Sequence, residues 1–169
     1  MPKLYTSRFS NKELETGEYT VVGVVRSMPR FPVKYRISGD IIQVAPPRYL
    51  WNENDRARFR EPYFKHLEKS GSPVIGAIIQ SYLDEGKDVV LCCYEDVRKP
   101  DEWCHRLVFA EWWYEKTGQK IEELPDPSPD PGAKQRQKEE QKRKEEESGY
   151  EQLSFMGDLY RTMYPHFNT

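Results

Sequence analysis

Two uninterrupted apolar stretches constrain this chain more than anything else in it. One is Tyr19-Thr20-Val21-Val22-Gly23-Val24-Val25, and the other spans residues 88–94 around Val89-Val90-Leu91-Cys92-Cys93. Neither alternates apolar with polar residues, as a strand with one wet face does. A short β-branched run that is apolar on both faces marks a strand covered on both sides, as in a parallel sheet. Residues 3–6 read as a short first strand, residues 40–44 as a weaker one stopped by Pro46-Pro47, and residues 120–124 as a last edge strand.

Helical spacing fills the intervals. Asn54 is placed to cap a helical turn, Pro62 to open a restarted helix and Gly71 to end it. Ser72-Pro73 reads as the next start, after which Val74, Ile75, Ile78, Ile79, Tyr82 and Leu83 recur on one face up to Gly86. Asp101 is the expected cap of a third helix that runs to about Thr117 and stops at Gly118. It carries Leu107, Val108, Phe109, Ala110, Trp112, Trp113 and Tyr114, so it is apolar nearly all round and expected to be buried. Strands alternating with helices predict an α/β fold: a small three-layer-type domain with a largely parallel sheet, followed by a charged C-terminal tail.

Hydrophobic residues make up 37% of the chain, below the usual share, and the deficit sits in the last third. The reading is therefore one domain over residues 1–124, a proline-rich and then charged linker over 125–149, and an amphipathic segment over 150–169. Residues 133–148 are almost wholly Lys, Arg, Glu and Gln. They suit either a solvated single helix held by i,i+4 pairs or a disordered run. The net charge of −2 gives no global field toward nucleic acid or acidic lipid. Three cysteines and short apolar runs lead to an expectation of free thiols, a cytoplasmic location and no membrane partner.

One constellation carries chemistry. By this register Cys104 lies in the first turn of the tryptophan-rich helix, where unpaired N–H groups and the dipole favour a thiolate or a bound anion. Ligands in open α/β sheets sit beyond the carboxyl ends of the strands. Ser7, Arg8, Arg26, Ser27, Cys93 and Glu95 are therefore expected to converge on Cys104, His105 and Arg106. Cys104, Glu95 and His105 are the candidate catalytic groups; Ser7, Arg8, Arg26, Ser27, Cys93 and Arg106 are the candidate ligand-binding groups. Arg26 and Arg106 would hold an anion through their guanidinium forks. Cys92 is read as a core residue, and Glu95 paired with Arg106 is the plain structural alternative. No metal and no cofactor are expected: Cys104 and His105 are adjacent, there is no second Cys-x-x-Cys, and a fourth ligand is missing from the pattern.

Several pieces together resemble domain of unknown function family 488 (DUF488). They are Tyr5-Thr6-Ser7, Arg26-Ser27-Met28-Pro29, Val44-Ala45-Pro46, Phe59 with Tyr63, Leu91-Cys92-Cys93-Tyr94-Glu95, and Cys104-His105-Arg106 followed by Ala110-Glu111-Trp112. The resemblance covers residues 3–124. It implies a compact α/β fold with these motifs grouped at one site, and no particular reaction.

Three functions compete. The first is binding or processing of a nucleotide-like or phosphorylated ligand at the Cys/Glu/Arg pocket. The second is a thiol enzyme of sulfurtransferase or phosphatase type with Cys104 as nucleophile, although the Gly-rich loop such enzymes need after the cysteine is absent. The third is a replication- or repair-associated binding module tethered to a protein partner through its tail. There Gln152, Leu153, Phe155 and Met156 resemble a sliding-clamp docking peptide, while Leu153, Met156, Tyr160, Met163 and Tyr164 also fit a plain amphipathic helix. Direct nucleic-acid binding has one candidate, the basic and aromatic stretch of Arg26, Arg30, Phe31, Lys34, Tyr35, Arg36 and Trp51.

Overall fold

A computed structural model describes residues 1–163. Five strands form one sheet: β1 (Leu4–Arg8), β2 (Tyr19–Gly23), β3 (Ile37–Asp40), β4 (Asp88–Cys93) and β5 (Glu122–Glu123). Their order is β3-β2-β4-β1-β5 and every pairing is parallel. The two apolar runs lie side by side, with Val21 opposite Val90 and Val22 opposite Leu91. Val21, Val22, Val89, Val90 and Leu91 are essentially inaccessible to solvent. Strands covered on both faces are what their composition demands.

Three helices follow the rule that parallel crossovers are right-handed. Helices α1 (Arg56–Glu68) and α2 (Gly71–Leu83) connect β3 to β4, and α3 (His105–Thr117) connects β4 to β5. Both crossovers run the same way across the sheet, so all three helices share one face. The β1-to-β2 crossover runs the other way and covers the opposite face with a 3-10 turn, Lys12–Thr16, whose Leu14 is buried. The third layer is thus turn and loop.

Boundaries moved where local chemistry won over pattern. The third strand is Ile37–Asp40; the residues after it turn, with Val44 N bonded to Ile41 O. Asp55, not Asn54, caps α1, accepting from Arg58 N, and Pro62 lies inside that helix. Ser70 precedes α2, so Ser72-Pro73 falls inside its first turn. Cys104 itself is the N-cap of α3, extended at φ −140°, while Asp101 takes a left-handed turn (φ 60°) in the loop before it. Short polar side chains tolerate that conformation best among non-glycine residues. Gly118 ends α3 at φ 71°, as expected.

The chain divides into two units, residues 1–129 and residue 130 onward. The first extends past the predicted limit of 124 because Asp126 is tied to Arg8, Nε to Oδ2 at 2.7 Å. In the second, α4 (Ala133–Met163) is one helix with none of its residues buried, running through both the predicted linker and the start of the amphipathic segment. Its charged half carries i,i+4 pairs such as Lys144–Glu140 at 2.8 Å. Tyr164, assigned to the amphipathic face, lies outside the described residues. Among the described residues no helix is long and apolar enough to cross a membrane.

Candidate functional site

The sheet dictates where a site can open. From β2 the chain runs outward to β3, while from β4 it runs the other way to α3 and β5. The two departures leave a crevice beyond the carboxyl ends of β2 and β4, the position ligands favour in such sheets. A cavity of about 560 Å³ occupies it. Its floor is Cys93, Cys104 and His105, and Glu95 stands beside them. Phe59, Trp51, Trp103 and Tyr94 supply aromatic walls, and Arg26 and Ser27 lie at the β2 side.

Local structure places each floor group. Cys93 is the last residue of β4, and Phe9 N bonds to its carbonyl at 2.8 Å. Val24 prolongs β2 by one bond, its N donating to Cys92 O at 3.0 Å. The Val24 carbonyl accepts from His105 Nε2 at 2.7 Å. A carbonyl can only accept, so Nε2 carries a proton and Nδ1 is left facing the sulfurs. Nδ1 is 3.5 Å from Cys93 Sγ and 3.7 Å from Cys104 Sγ. Both sulfurs also approach the same oxygen, Glu95 Oε2, at 2.9 Å each. The four donor atoms all lie within 4.8 Å of one another.

The groups compete for protons. Burial pushes the Cys93 thiol well up, reinforced by its bond to Cys104 and the nearby Glu95 charge. Burial works against the Cys104 thiolate too. There, hydrogen bonding from Cys93 and the positive charge of His105 and Arg106 outweigh it and hold the thiol below its ordinary value. Burial and the adjoining Cys104 raise the Glu95 carboxyl. His105 is raised because the negative charge of Cys104 overcomes the cost of burying the imidazolium.

The expected residues divide into two groups. Arg26, Ser27, Cys93, Glu95, Cys104 and His105 meet at the cavity, as the topology argument required. Arg26 lies at its edge with Nε on Pro46 O at 2.9 Å, and Ser27 O accepts from the Tyr94 hydroxyl. Ser7, Arg8 and Arg106 do not join them; they line a separate hollow of about 180 Å³ beyond β1. Ser7 accepts from Asn11 Nδ2 at 2.9 Å. Arg8 is neutralised by Asp126 and Asp96. Arg106, only 1% exposed, pairs with Glu123 at 2.7 Å and donates from Nη1 to the Glu95 backbone carbonyl at 2.9 Å. The anion fork assigned to Arg106 is therefore spent inside the fold: Glu123 on the edge strand draws it away, and sequence spacing gave no sign of that partner. Cys92 is wholly buried and burial raises its thiol, in line with a core role.

Sequence reading also assigned no site role to Glu53, Asp101, Glu102 and Trp103, which line the cavity. Trp103 precedes Cys104, and that adjacency was the available signal. Its indole N–H is held by Asn54 O at 3.0 Å, as that of Trp51 is held by Pro46 O at 3.2 Å, so both rings are anchored at the rim. The fourth donor beside the sulfurs, missing from linear spacing, is Glu95.

Comparison with protein-family models, with curated proteins and with solved structures found no match to this chain.

Proposed function

We propose that this chain binds, and acts on, a small planar nucleotide-like ligand in the cavity at the ends of β2 and β4, with Cys104, Glu95 and His105 as the working groups. The observation that carries the reading is a cavity of about 560 Å³ with anchored aromatic walls above a floor of two thiols, an imidazole and a carboxylate. Flat aromatic faces stack on a base whatever its identity. Carboxylates at the wall accept from ring and exocyclic N–H groups, and Arg26 offers the cation at the edge. The resemblance to DUF488 supports the same grouping of the Cys-Tyr-Glu and Cys-His-Arg segments, and three free cysteines fit a reducing cytoplasm.

Thermal denaturation with a panel of nucleobases, nucleosides and nucleotides tests the reading. A ligand at a hundred times its Kd stabilises the fold by about 2.7 kcal/mol, a readable upward shift in Tm. Trp51→Ala and Trp103→Ala are expected to abolish that shift while the apo Tm changes little for the exposed Trp51. No shift with any member of the panel overturns the reading.

The tail supports a second reading, docking on a protein partner. Leu153, Phe155 and Met156 are 71%, 68% and 61% exposed on α4. A labelled peptide of residues 148–163 that fails to bind the bacterial sliding clamp would remove the specific clamp assignment.

A further inference from the structure

The floor of the cavity has the composition and spacing of a metal site, which deepens the reading of the same cavity without depending on what organic ligand enters it. We propose that Cys93, Cys104 and His105 hold one zinc-class divalent cation, with the Glu95 carboxylate as the fourth, displaceable ligand.

Four observations carry this. First, the donor set is two thiolates, an imidazole and a carboxylate, which suits zinc and its neighbours and not the hard cations magnesium and calcium. Second, the spacing fits. With Zn–S near 2.3 Å and Zn–N near 2.0–2.1 Å, tetrahedral geometry puts a ligating sulfur about 3.5 Å from a ligating nitrogen; the two sulfurs stand 3.5 and 3.7 Å from His105 Nδ1. Third, the imidazole is pre-oriented. His105 Nε2 is committed to the Val24 carbonyl at 2.7 Å, an arrangement by which proteins aim the other nitrogen at a metal. Fourth, the four donor atoms come from four different side chains and all lie within 4.8 Å of one another, as the ligands of a single ion must.

Glu95 differs from the other three. Its oxygen is 2.9 Å from both sulfurs, closer than co-ligands of one zinc ion sit, so loading the site moves the carboxylate outward by about 0.7 Å. Cys93, Cys104 and His105 are 2%, 2% and 8% exposed and close the site from below. Glu95, on the loop after β4, flanks the open cavity. A ligand or a water arriving from that cavity reaches the ion by displacing Glu95, which is the layout of a site with one exchangeable position.

The test uses the untagged full-length chain, stripped with chelator and kept reduced. Titration with Co²⁺ is expected to saturate at one ion per chain, with thiolate-to-cobalt charge-transfer absorption and the intense visible bands of a tetrahedral site, and Zn²⁺ is expected to displace it. Cys93→Ser, Cys104→Ser and His105→Gln each weaken Zn²⁺ binding at least about tenfold, as does Glu95→Gln with a shift of the cobalt bands. Cys92→Ser leaves binding unchanged. Glu95→Gln and Cys92→Ser keep the question open to refutation if a floor variant fails to fold. Absence of a one-to-one cobalt complex in the reduced wild-type chain overturns the proposal. So does a complex indifferent to Cys104→Ser and Glu95→Gln, or one lost equally in Cys92→Ser. Metal binding without any nucleotide-induced Tm shift refutes the ligand reading alone; nucleotide binding by a chain that takes up no cobalt refutes this one alone.

Discussion

Removing the carboxylate of Glu123 is expected to cost more than removing the guanidinium it pairs with, and the asymmetry follows from where each charge sits. Arg106 is 1% exposed; its Nε lies 3.2 Å from both Glu123 oxygens, its Nη2 2.7 Å from Oε1, and its Nη1 2.9 Å from the Glu95 carbonyl. Glu123→Leu leaves that cation inside the fold with one neutral partner. Breaking a buried pair in this way costs about 3–5 kcal/mol. The Glu123 side chain is 32% exposed, so water can replace part of it and the expected loss is at the low end, about 3 kcal/mol. Arg106→Met strands Glu123 instead. Glu123 still accepts from Thr6 Oγ1 at 2.8 Å and reaches solvent, so the expected cost is about 1–2 kcal/mol. The double variant, which buries no unpaired charge, is expected to lose less than the sum by about 2 kcal/mol. Urea unfolding followed by tryptophan fluorescence reads all three. If Glu123→Leu costs less than Arg106→Met, or the two add, Arg106 does not depend on Glu123, and the idea that its fork is withdrawn from the cavity fails.

Three further outcomes are expected. Hydrogen bonds from Arg98 hold the Asp96 carboxyl down at about 2, against 3.8 unfolded, so its stabilisation is full above pH 4 and is lost as pH falls toward 2; Asp96→Asn should flatten that part of the acid-unfolding curve. Ending the chain at residue 129 should change the unfolding free energy by less than about 0.5 kcal/mol, because among the described residues every buried apolar side chain precedes residue 125; a larger loss in urea shows that the tail supports the domain. Tyr63 is fully buried and its hydroxyl donates to Val44 O at 2.5 Å, so Tyr63→Phe should cost about 1–2 kcal/mol in the same assay.

The parallel sheet was legible because Val21-Val22 and Val89-Val90-Leu91 have no polar face to expose. The convergence of Arg26, Ser27, Cys93, Glu95, Cys104 and His105 was legible because parallel strands deliver their carboxyl ends to one edge. What local pattern does not encode is strand order. Placing β4 between β2 and β1 splits that edge in two, and Ser7, Arg8 and Arg106 fall on the far side. Glu123 and Asp126, which neutralise Arg106 and Arg8, are 17 and 118 residues away in the chain. The metal-ligand spacing was unreadable for the same reason: Cys93 and Glu95 leave one strand end, Cys104 and His105 open a helix, and only the loop between them brings the four atoms together.

For the nucleotide-like ligand proposed above, the charges that line the cavity set the expected preference. Glu53, Glu95, Asp101 and Glu102 line it against the single guanidinium of Arg26. Two unit charges about 8 Å apart in water interact by about 0.5 kcal/mol. Each phosphate added to the ligand therefore meets a net repulsion of that order or more, and affinity is expected to fall from nucleoside to monophosphate to triphosphate. Isothermal titration at low salt and at 0.5 M salt reads the effect, since surface charges are screened within about 10 Å already at 0.1 M; the differences should narrow as salt rises. Tightest binding of the triphosphate to the metal-free chain would mean that Arg26 or the α3 N-terminus outweighs four carboxylates, and that the charge reading of the cavity is wrong.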